Sequence, residues 1–400
     1  MTTSKRHALV WAAVFLFLVG FILHSRQLFF MAAGVAVLWP LSYWLGRHKL
    51  RGLVAGRTAP ASMQAGETAR VNLTVGNPSS TRRLFLYVSD TLPPRAGSDS
   101  PLHLIPAIDP GGSIRSDYLL HTPLRGVYQL GPLRLHAADT LGLTTFARQI
   151  DSIDEVIVYP TPLLLPPLWP RAAAGRLPRQ TVRAPSEQGS DFFGIREYVP
   201  GDDPRRIHWP TTARRDRLMT VQYAQEEALE GLIVLDLQAR HHRGEGVRST
   251  IEQGVLIAVT AARQADQRGG VAGLVAAGEH DYSVGIDTSP GQYSRLHEAL
   301  ARVELQQQDG WPDSVTEYIG LNPPRRPVIV ISPRADRDGI SMARTLLAHN
   351  QAVSWFVLQM PGEDKSEFAA LLGSIGCQPR QIDCGIPLQA QFASRRVAHG

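Results

Sequence analysis

Lysine and cysteine are the residues of which this 400-residue sequence has least. Only three of its 41 basic residues are lysines, and no Gly-Lys pair occurs. The phosphate-binding loop G-x-x-x-x-G-K-[ST] needs that lysine on the phosphates, so the sequence excludes an ATP site of this kind. The two cysteines, Cys377 and Cys384, are too few for a disulfide-framed secreted domain and suit a reducing compartment.

Strong charge imbalance and the common catalytic motifs are also missing. The 41 basic residues face 36 acidic ones, so nucleic acid is not the expected partner. No H-E-x-x-H, G-x-S-x-G or C-x-x-C occurs, and no G-x-G-x-x-G opens a helix after a strand, which removes the usual hydrolase and dinucleotide-binding classes. At this length the chain can form two or three domains, since single cores stop growing at roughly 250–300 residues.

Two uncharged apolar runs open the chain, over 8–23 and 28–45. Each is long enough to cross a bilayer as a helix, and no cleavage site for a signal peptide separates them. Basic residues flank the pair on both sides, whereas the turn between the runs holds one arginine. The sequence therefore predicts a two-helix transmembrane hairpin over 1–50, spanning the lipid bilayer through residues 8–45. The charge bias predicts a two-pass protein of the bacterial inner (plasma) membrane with cytoplasmic soluble domains.

A β-rich region follows over 51–158. Apolar residues alternate at period two, as in Val71, Leu73 and Val75, and Gly-Pro and Pro-Gly turns interrupt the pattern. Short alternating strands of this kind predict an antiparallel β-sandwich-like domain. No catalytic constellation stands out there, so we expect a binding or spacer role.

Prolines and arginines dominate residues 159–188, and dense charge of both signs follows over 189–230. The first stretch is interpreted as a stiff linker, because proline removes backbone donors and restricts the chain. The second, here called the arginine-rich segment, is predicted to run across the seam between two domains. It is either a solvated face or a docking surface.

The remaining residues, 231–400, alternate apolar strands with helical patterns. This order predicts an α/β domain with a mostly parallel sheet covered on both faces. A capping box, Ser249 to Glu252, opens the first helix, and Gly269 and Gly270 end it.

One motif in the arginine-rich segment resembles a known family. Its residues are Arg196, Glu197, Tyr198, Pro200, Gly201, Asp202, Asp203, Arg205, Arg206, Ile207 and Trp209, followed by Ala213-Arg214 and Glu226-Glu227. They look like the signature of the domain-of-unknown-function family DUF58. Two earlier stretches, Arg125 to Pro132 and Asp139 to Leu143, resemble that family's preceding segment.

The resemblance carries expectations about partners and fold. It implies a C-terminal domain similar to von Willebrand factor type A domains. It also implies work beside a MoxR-type AAA+ ATPase and possibly a membrane transglutaminase-like protein. Domains of the von Willebrand type usually hold Mg²⁺ through an Asp-x-Ser-x-Ser loop. Here Asp236, Gln238 and Arg240 stand in that loop, so Arg240 is expected to place a cation beside Asp236, and no metal or other cofactor is expected.

Three histidines and Asp236 have both a catalytic and a structural interpretation. His208 could act as a general base, oriented by Asp202 or Asp203, with Thr211 or Thr212 as nucleophile. The competing interpretation is a histidine on a partly buried strand edge. His241 and His242 could join Asp236 at a metal, but a polar loop is the alternative. Asp236 itself is expected to bond backbone donors at the end of its strand.

The expected function is a membrane-anchored, non-catalytic adaptor. Arg196, Arg206 and Arg214 are the candidates for contacts with acidic groups, and Tyr198 and Trp209 are the candidate packing anchors. Within the arginine-rich segment, Arg196, Asp202, Arg206 and Trp209 are predicted to form an internal ion-pair network, and Arg214, Arg215 and Arg217 to face a partner. The alternatives are a metal-dependent hydrolase using Asp236 and a cell-envelope polymer-binding module.

Overall fold

A computed structural model describes most of the chain. It covers residues 2–98, 102–139, 142, 144–170, 185–186, 191–199, 202–224, 229–276, 281–307, 315–318, 326–349 and 352–397. Pro200, Gly201, Glu226 and Glu227 of the motif lie outside these residues. The chain divides into two compact units, Met1–Tyr159 and Pro160–Gly400.

The first unit begins with two helices, α1 (Thr2–Leu23) and α2 (Arg26–Lys49). They pack against each other, and the rings of Phe17 and Phe29 meet edge to face at 5.4 Å. In the described part of the chain, α2 alone is long and apolar enough to cross a membrane, and the apolar part of α1, His7–Leu23, is shorter. Length and composition thus identify α2 as a candidate membrane span.

Eleven strands follow, and they form the predicted β-rich domain. Their bounds are β1 (Val54–Thr58), β2 (Ser62–Gln64), β3 (Thr68–Gly76), β4 (Arg83–Asp90), β5 (Gly97–Ser98), β6 (Leu102–Ile108), β7 (Ser113–His121), β8 (Gly126–Leu130), β9 (Leu133–Ala138), β10 (Thr145–Ile150) and β11 (Asp154–Tyr159). The sheets have the orders β1-β3-β7-β5, β10-β9-β4-β6 and β2-β11-β8. Their alternating apolar residues, including Val71, Leu73 and Val75, share one core.

A buried ion pair lies in this core. The guanidinium of Arg57 donates to both oxygens of Asp90 at 2.7 and 2.8 Å, and neither side chain is exposed. The Tyr118 hydroxyl donates to the same carboxylate at 2.7 Å. Every charge on this pair is matched by a partner, which is the condition under which buried ions are tolerated.

The end of α2 is joined directly to the β domain. Lys49 Nζ donates to the carbonyl of Ala138 at 2.9 Å, and Arg83 donates to the carbonyl of His48 at 2.8 Å. A Cβ at Gly46 would meet the Phe146 ring and Asp139, so only glycine allows this approach. The helix and the sheet β10-β9-β4-β6 therefore pack together as one body.

The second unit contains the α/β domain. Five strands, β15 (Glu230–Leu235), β16 (Val271–Val275), β17 (Val328–Ser332), β18 (Val353–Gln359) and β19 (Gln378–Asp383), form a parallel sheet in the order β16-β15-β17-β18-β19. The helices are α4 (Thr250–Gln267), α5 (Gln292–Arg302), α6 (Arg337–Ala348), α7 (Ser366–Ile375) and α8 (Leu388–Val397). Helices cover both faces, which explains why β15, β16, β17 and β18 are mostly apolar, whereas the edge strand β19 has only Ile382 as a buried residue. The predicted parallel architecture is confirmed.

The start of the proline-rich stretch belongs to this core. Leu168 and Trp169 are buried, and the Trp169 indole donates to the carbonyl of Ala261 on α4 at 2.9 Å. The interpretation of 159–188 as a linker is therefore corrected for residues 160–170, whose apolar side chains outweigh the effect of the prolines. Residues 171–184 and 187–188 lie outside the described part of the chain.

Candidate functional site

The arginine-rich segment is built on an antiparallel strand pair. Strand β13 (Asp191–Glu197) pairs with β14 (Met219–Ala224), and the two-residue β12 (Pro185–Ser186) also pairs with β14. The connection between β13 and β14 contains a short 3₁₀ turn, Pro204–Arg206, and helix α3 (Trp209–Arg215). Most of the motif residues therefore lie on this connection.

The first turn is held by an ion pair between Arg196 and Asp202. Arg196 Nη2 donates to Asp202 Oδ1 at 2.6 Å, and the backbone N–H of Val199 donates to the second carboxylate oxygen at 2.9 Å. These donors lower the pKa of Asp202, with the arginine hydrogen bond as the largest cause. The Tyr198 hydroxyl donates to the Asp202 carbonyl at 3.2 Å. Tyr198 and Asp202 thus close a turn around an ionised carboxylate.

His208 has a structural position at the start of α3. Its Nδ1 accepts from the backbone N–H of Thr211 and lies 2.9 Å from the Thr211 hydroxyl. The Thr212 hydroxyl accepts from the backbone N–H of Met219 at 3.0 Å. His208 and Thr211 do lie together, as the catalytic alternative requires. The histidine caps α3, and its backbone N–H donates to the carbonyl of Met219 at 2.8 Å, so it also lies half-buried beside strand β14.

The described ion pairs of this segment are internal to it. Arg217 pairs with Glu197 at 2.8 Å, and Arg206 lies 4.0 Å from Asp203. By contrast, no ion pair is described for Arg205, Arg214 and Arg215, which are exposed in the described part of the segment. Trp209 is 64% exposed. An exposed tryptophan beside unpaired arginines has the composition of a protein-binding surface.

A second polar cluster lies at the carboxyl edge of the parallel sheet. Asp236 follows β15, and β15 lies between β16 and β17 in the sheet. This is the position at which ligands usually bind in open α/β sheets. Asp236 Oδ1 accepts from the backbone N–H of Gln238 at 3.0 Å, and Oδ2 accepts from the Ser332 hydroxyl at 2.7 Å. The carboxylate is fully buried and bonds a backbone donor, as the sequence predicts.

A buried arginine occupies the centre of this cluster. The Arg334 side chain has no exposed surface, and its Nε lies 3.8 Å from Asp236 Oδ2. Its Nη2 donates to the Gln238 amide oxygen, and its Nη1 lies 3.5 Å from carboxylate oxygens of both Asp336 and Asp338. Burial raises the pKa of Asp236, and the Ser332, Gln238 and Arg334 contacts oppose this. Three carboxylates therefore surround one guanidinium.

Arg240 does not take the position that its place in the loop predicts. It is exposed, and its Nε donates to His241 Nε2 at 2.8 Å. The cation beside Asp236 is Arg334, which is nearly one hundred residues away in sequence. The expectation for Arg240 is wrong because the chain turns outward after Gln238, which bridges to Gln306.

The two histidines after β15 have different surroundings. His242 is buried, with Nε2 at 2.9 Å from the Asp236 carbonyl and Nδ1 at 2.9 Å from the Thr250 hydroxyl. His241 lies 3.8 Å from Asp336. Burial and the charge of Arg334 lower the pKa of His241. These contacts support the polar-loop interpretation.

The residues around Asp236 do not fit a divalent cation. Hard cations need several free oxygen ligands, and both Asp236 oxygens already accept hydrogen bonds. The amide oxygen of Gln238 is bound to Arg334, whose positive charge would repel a metal ion placed there. Within the described residues, no group of three or more histidine, cysteine or acidic side chains could hold a metal.

Several solved structures are similar to parts of the chain. The VWA domain of SpRpn10 is 13% identical, covers 42% of this chain and 95% of its own length, and has a TM-score of 0.31. The CARDB domain of the PF1109 protein from Pyrococcus furiosus, in complex with di-metal ions, is 11% identical and covers 26% and 86%, with a TM-score of 0.19. The native conformation of Escherichia coli alpha-2-macroglobulin is 18% identical and covers 27% and 7%, with a TM-score of 0.21. No curated protein matches the sequence.

A family model matches residues 194–353, and its description is "Protein of unknown function DUF58". The match begins within β13 and ends at the first residue of β18. It includes the arginine-rich connection and the polar cluster at the sheet edge. The part of the chain that holds both the Arg196–Asp202 pair and the Asp236–Arg334 pair is thus the part that matches the DUF58 family.

Proposed function

We propose that this protein is a membrane-anchored, non-catalytic adaptor that binds a MoxR-type AAA+ ATPase on the cytoplasmic side of a bacterial inner membrane. The observation that supports this most is the exposed surface of α3. This surface exposes Trp209, Arg214 and Arg215, and neither arginine has a described ion pair. Neighbouring arginines are paired within the segment. We call these three residues the α3 surface.

The chemistry of the α3 surface favours an acidic protein partner. Tryptophan and arginine are the residue types that most often dominate the binding energy of protein interfaces. Two guanidinium groups can make charge-assisted, bidentate contacts with carboxylates. Exposing a large indole to water is unfavourable, and its burial against a partner would contribute about 2–3 kcal/mol.

The membrane part of the proposal is a two-pass anchor. Helix α2 has the length and composition of a membrane span, and α1 packs along it. The basic residues at the end of α2 favour a cytoplasmic location for everything that follows. This would place the α3 surface in the compartment that contains AAA+ ATPases.

The sheet edge supports a role without catalysis. A metal-dependent hydrolase would need an ion at Asp236, and Arg334 fills that position with a charge that belongs to the protein. The cluster is then a structural element that fixes the ends of β15 and β17.

Crosslinked membranes from cells that carry the full-length protein provide the test. Mass spectrometry of the purified complex should show an enriched AAA+ ATPase, and Trp209→Ala with Arg215→Ala should reduce its recovery. Arg268→Ala is the matched control, because this exposed arginine at the end of α4 lies outside the α3 surface. If no AAA+ ATPase is enriched, the proposal is wrong; if the control reduces recovery equally, the α3 surface is not the binding site.

A further inference from the structure

An exposed aromatic residue with unusual backbone geometry lies close to the end of the membrane helix. Phe85 on β4 has a φ of 52° and is 61% exposed, and its neighbour Leu84 is 42% exposed. A bulky residue in the left-handed region costs about 1–2 kcal/mol. This backbone conformation thus costs free energy, and it leaves two apolar side chains exposed.

The position of Phe85 follows from the joint between α2 and the β domain. Arg83, two residues before it, donates to the carbonyls of His48 and Arg51. These two residues come directly after the apolar part of α2, at the point where basic side chains begin. The start of β4 therefore lies at the level where a membrane helix leaves the hydrocarbon for the lipid headgroups.

Two exposed arginines lie near the end of α2, close to the expected level of the lipid headgroups. Arg47 and Arg51 are exposed, and the described residues give neither side chain an ion pair. Arg82 is paired with Asp109, and Asp139 is buried against Gly46, so these two nearby carboxylates are not open partners. Exposed apolar side chains near the end of α2, together with two arginines that have no ion pair in the described part of the chain, match the acyl boundary and the anionic headgroups of a bilayer.

We infer that Leu84, Phe85, Arg47 and Arg51 form a lipid-binding face that seats the β domain on an anionic membrane surface. Leu84 and Phe85 enter the boundary between headgroups and acyl chains, and the two arginines bind lipid phosphates. The inference rests on the proposed membrane anchor, because it takes the end of α2 as the bilayer surface. It adds that the β domain itself touches lipid.

Single cysteines allow a direct test in the full-length protein. Both native cysteines are buried, and burial raises the pKa of each thiol to about 12, so neither should react with a maleimide at neutral pH. Three variants, Phe85→Cys, Leu102→Cys and Leu38→Cys, would each carry one fluorescent label. Leu102 is an exposed leucine on β6 opposite Ser89, about 20 Å further along the sheet from Arg83. Leu38 is exposed on α2 and reports on the membrane span itself.

The labelled proteins are placed in nanodiscs of phosphatidylcholine and phosphatidylglycerol, with brominated lipid as the quencher. Quenching at positions 85 and 38 but not at 102 is the expected result. Quenching at 38 without quenching at 85 overturns the lipid-binding face and leaves the anchor intact. Absence of quenching at 38 overturns the anchor and the face together, and equal quenching at 102 shows that the contact is not specific to this face.

Two substitutions test the chemistry of the face. Arg47→Gln with Arg51→Gln should lower the quenching at position 85, and so should replacing phosphatidylglycerol by phosphatidylcholine. If both leave the quenching unchanged, the role given to the arginines is wrong. In Phe85→Asn the backbone geometry is retained, because asparagine tolerates the left-handed region. This variant, labelled at Leu84→Cys, should lose quenching without loss of thermal stability, and retained quenching would contradict the role of Phe85.

Discussion

The guanidinium of Arg334 lies 3.8 Å from the carboxylate of Asp236, and neither side chain is exposed to solvent. The two residues follow neighbouring parallel strands, β15 and β17. Their pairing places a covalently attached cation at the edge of the sheet where α/β domains commonly bind ligands. This relationship leads to the first two predictions.

Removing one member of this pair should be costly, and replacing both should not. Arg334→Ala is expected to lower the free energy of unfolding by about 3–5 kcal/mol, because it leaves Asp236 buried without its cation. The double variant Asp236→Leu with Arg334→Met should recover much of that loss, since apolar residues of similar volume remove the cost of burying charge. Urea unfolding of the full-length protein measures both. A double variant that is destabilised as much as Arg334→Ala would contradict the pairing.

The same pair should prevent metal binding. Calorimetric titration of the wild-type protein with Mg²⁺ or Mn²⁺ is expected to show no binding at Asp236, because the carboxylate oxygens and the Gln238 amide are occupied. The matched control is Asp236→Asn, whose titration should be the same as that of the wild type. Micromolar affinity that disappears in Asp236→Asn would contradict this prediction and favour the metal-dependent alternative.

Two arginines of the arginine-rich segment should behave differently. Arg206 is partly buried and lies near Asp203, so Arg206→Ala is expected to lower the free energy of unfolding by about 0.5–1 kcal/mol. Arg215 is exposed and has no described ion pair, so Arg215→Ala should change stability by less than about 0.5 kcal/mol and weaken only association. Thermal unfolding and crosslinking on the same preparations separate the two effects. Equal melting and equal recovery of both variants would favour a solvated face.

Acid should loosen the turn closed by Asp202. Because Arg196 lowers the pKa of Asp202, the folded state binds this proton less readily than the unfolded chain. The ionised carboxylate thus stabilises the turn above its unfolded pKa of about 3.9, and the stabilisation is lost as the pH falls through the lower folded value. Asp202→Asn should destabilise the protein at pH 7, and this effect should shrink as the pH falls below about 3.9, as measured by thermal unfolding. Asp216→Asn is the control for replacing an exposed aspartate of the same segment, because asparagine tolerates the left-handed position.

Local periodicity predicts much of the fold. Alternation over Val71, Leu73 and Val75 predicts β3, where these three side chains are buried in the core. The capping box predicts the start of α4, and Ser249 does accept from the backbone N–H of Glu252. These predictions succeed because each depends on residues within a few positions of one another.

Local periodicity does not predict ion pairs between residues that are far apart in sequence. Arg334 meets Asp236 only because parallel pairing brings the ends of β15 and β17 together, and Arg57 meets Asp90 across two sheets. The sequence contains one signal for Arg334, because this residue follows an apolar strand and precedes two acidic residues, Asp336 and Asp338. The sequence alone favours Arg240, because that residue lies in the same loop as Asp236.

The contact between Trp169 and Gly231 changes how the chain is divided. The indole ring lies where a Cβ of Gly231 would be, so the chain leaves the α/β core at Trp169 and returns beside it at the start of β15. The arginine-rich segment is therefore part of an insertion whose two ends lie side by side at the α/β core. Insertions of this kind can vary in length or be exchanged without disturbing the core that carries them, because closing a longer loop adds only about 0.6 kcal/mol per doubling. If the α3 surface binds a partner as proposed, its specificity can change through this segment while the parallel sheet stays the same.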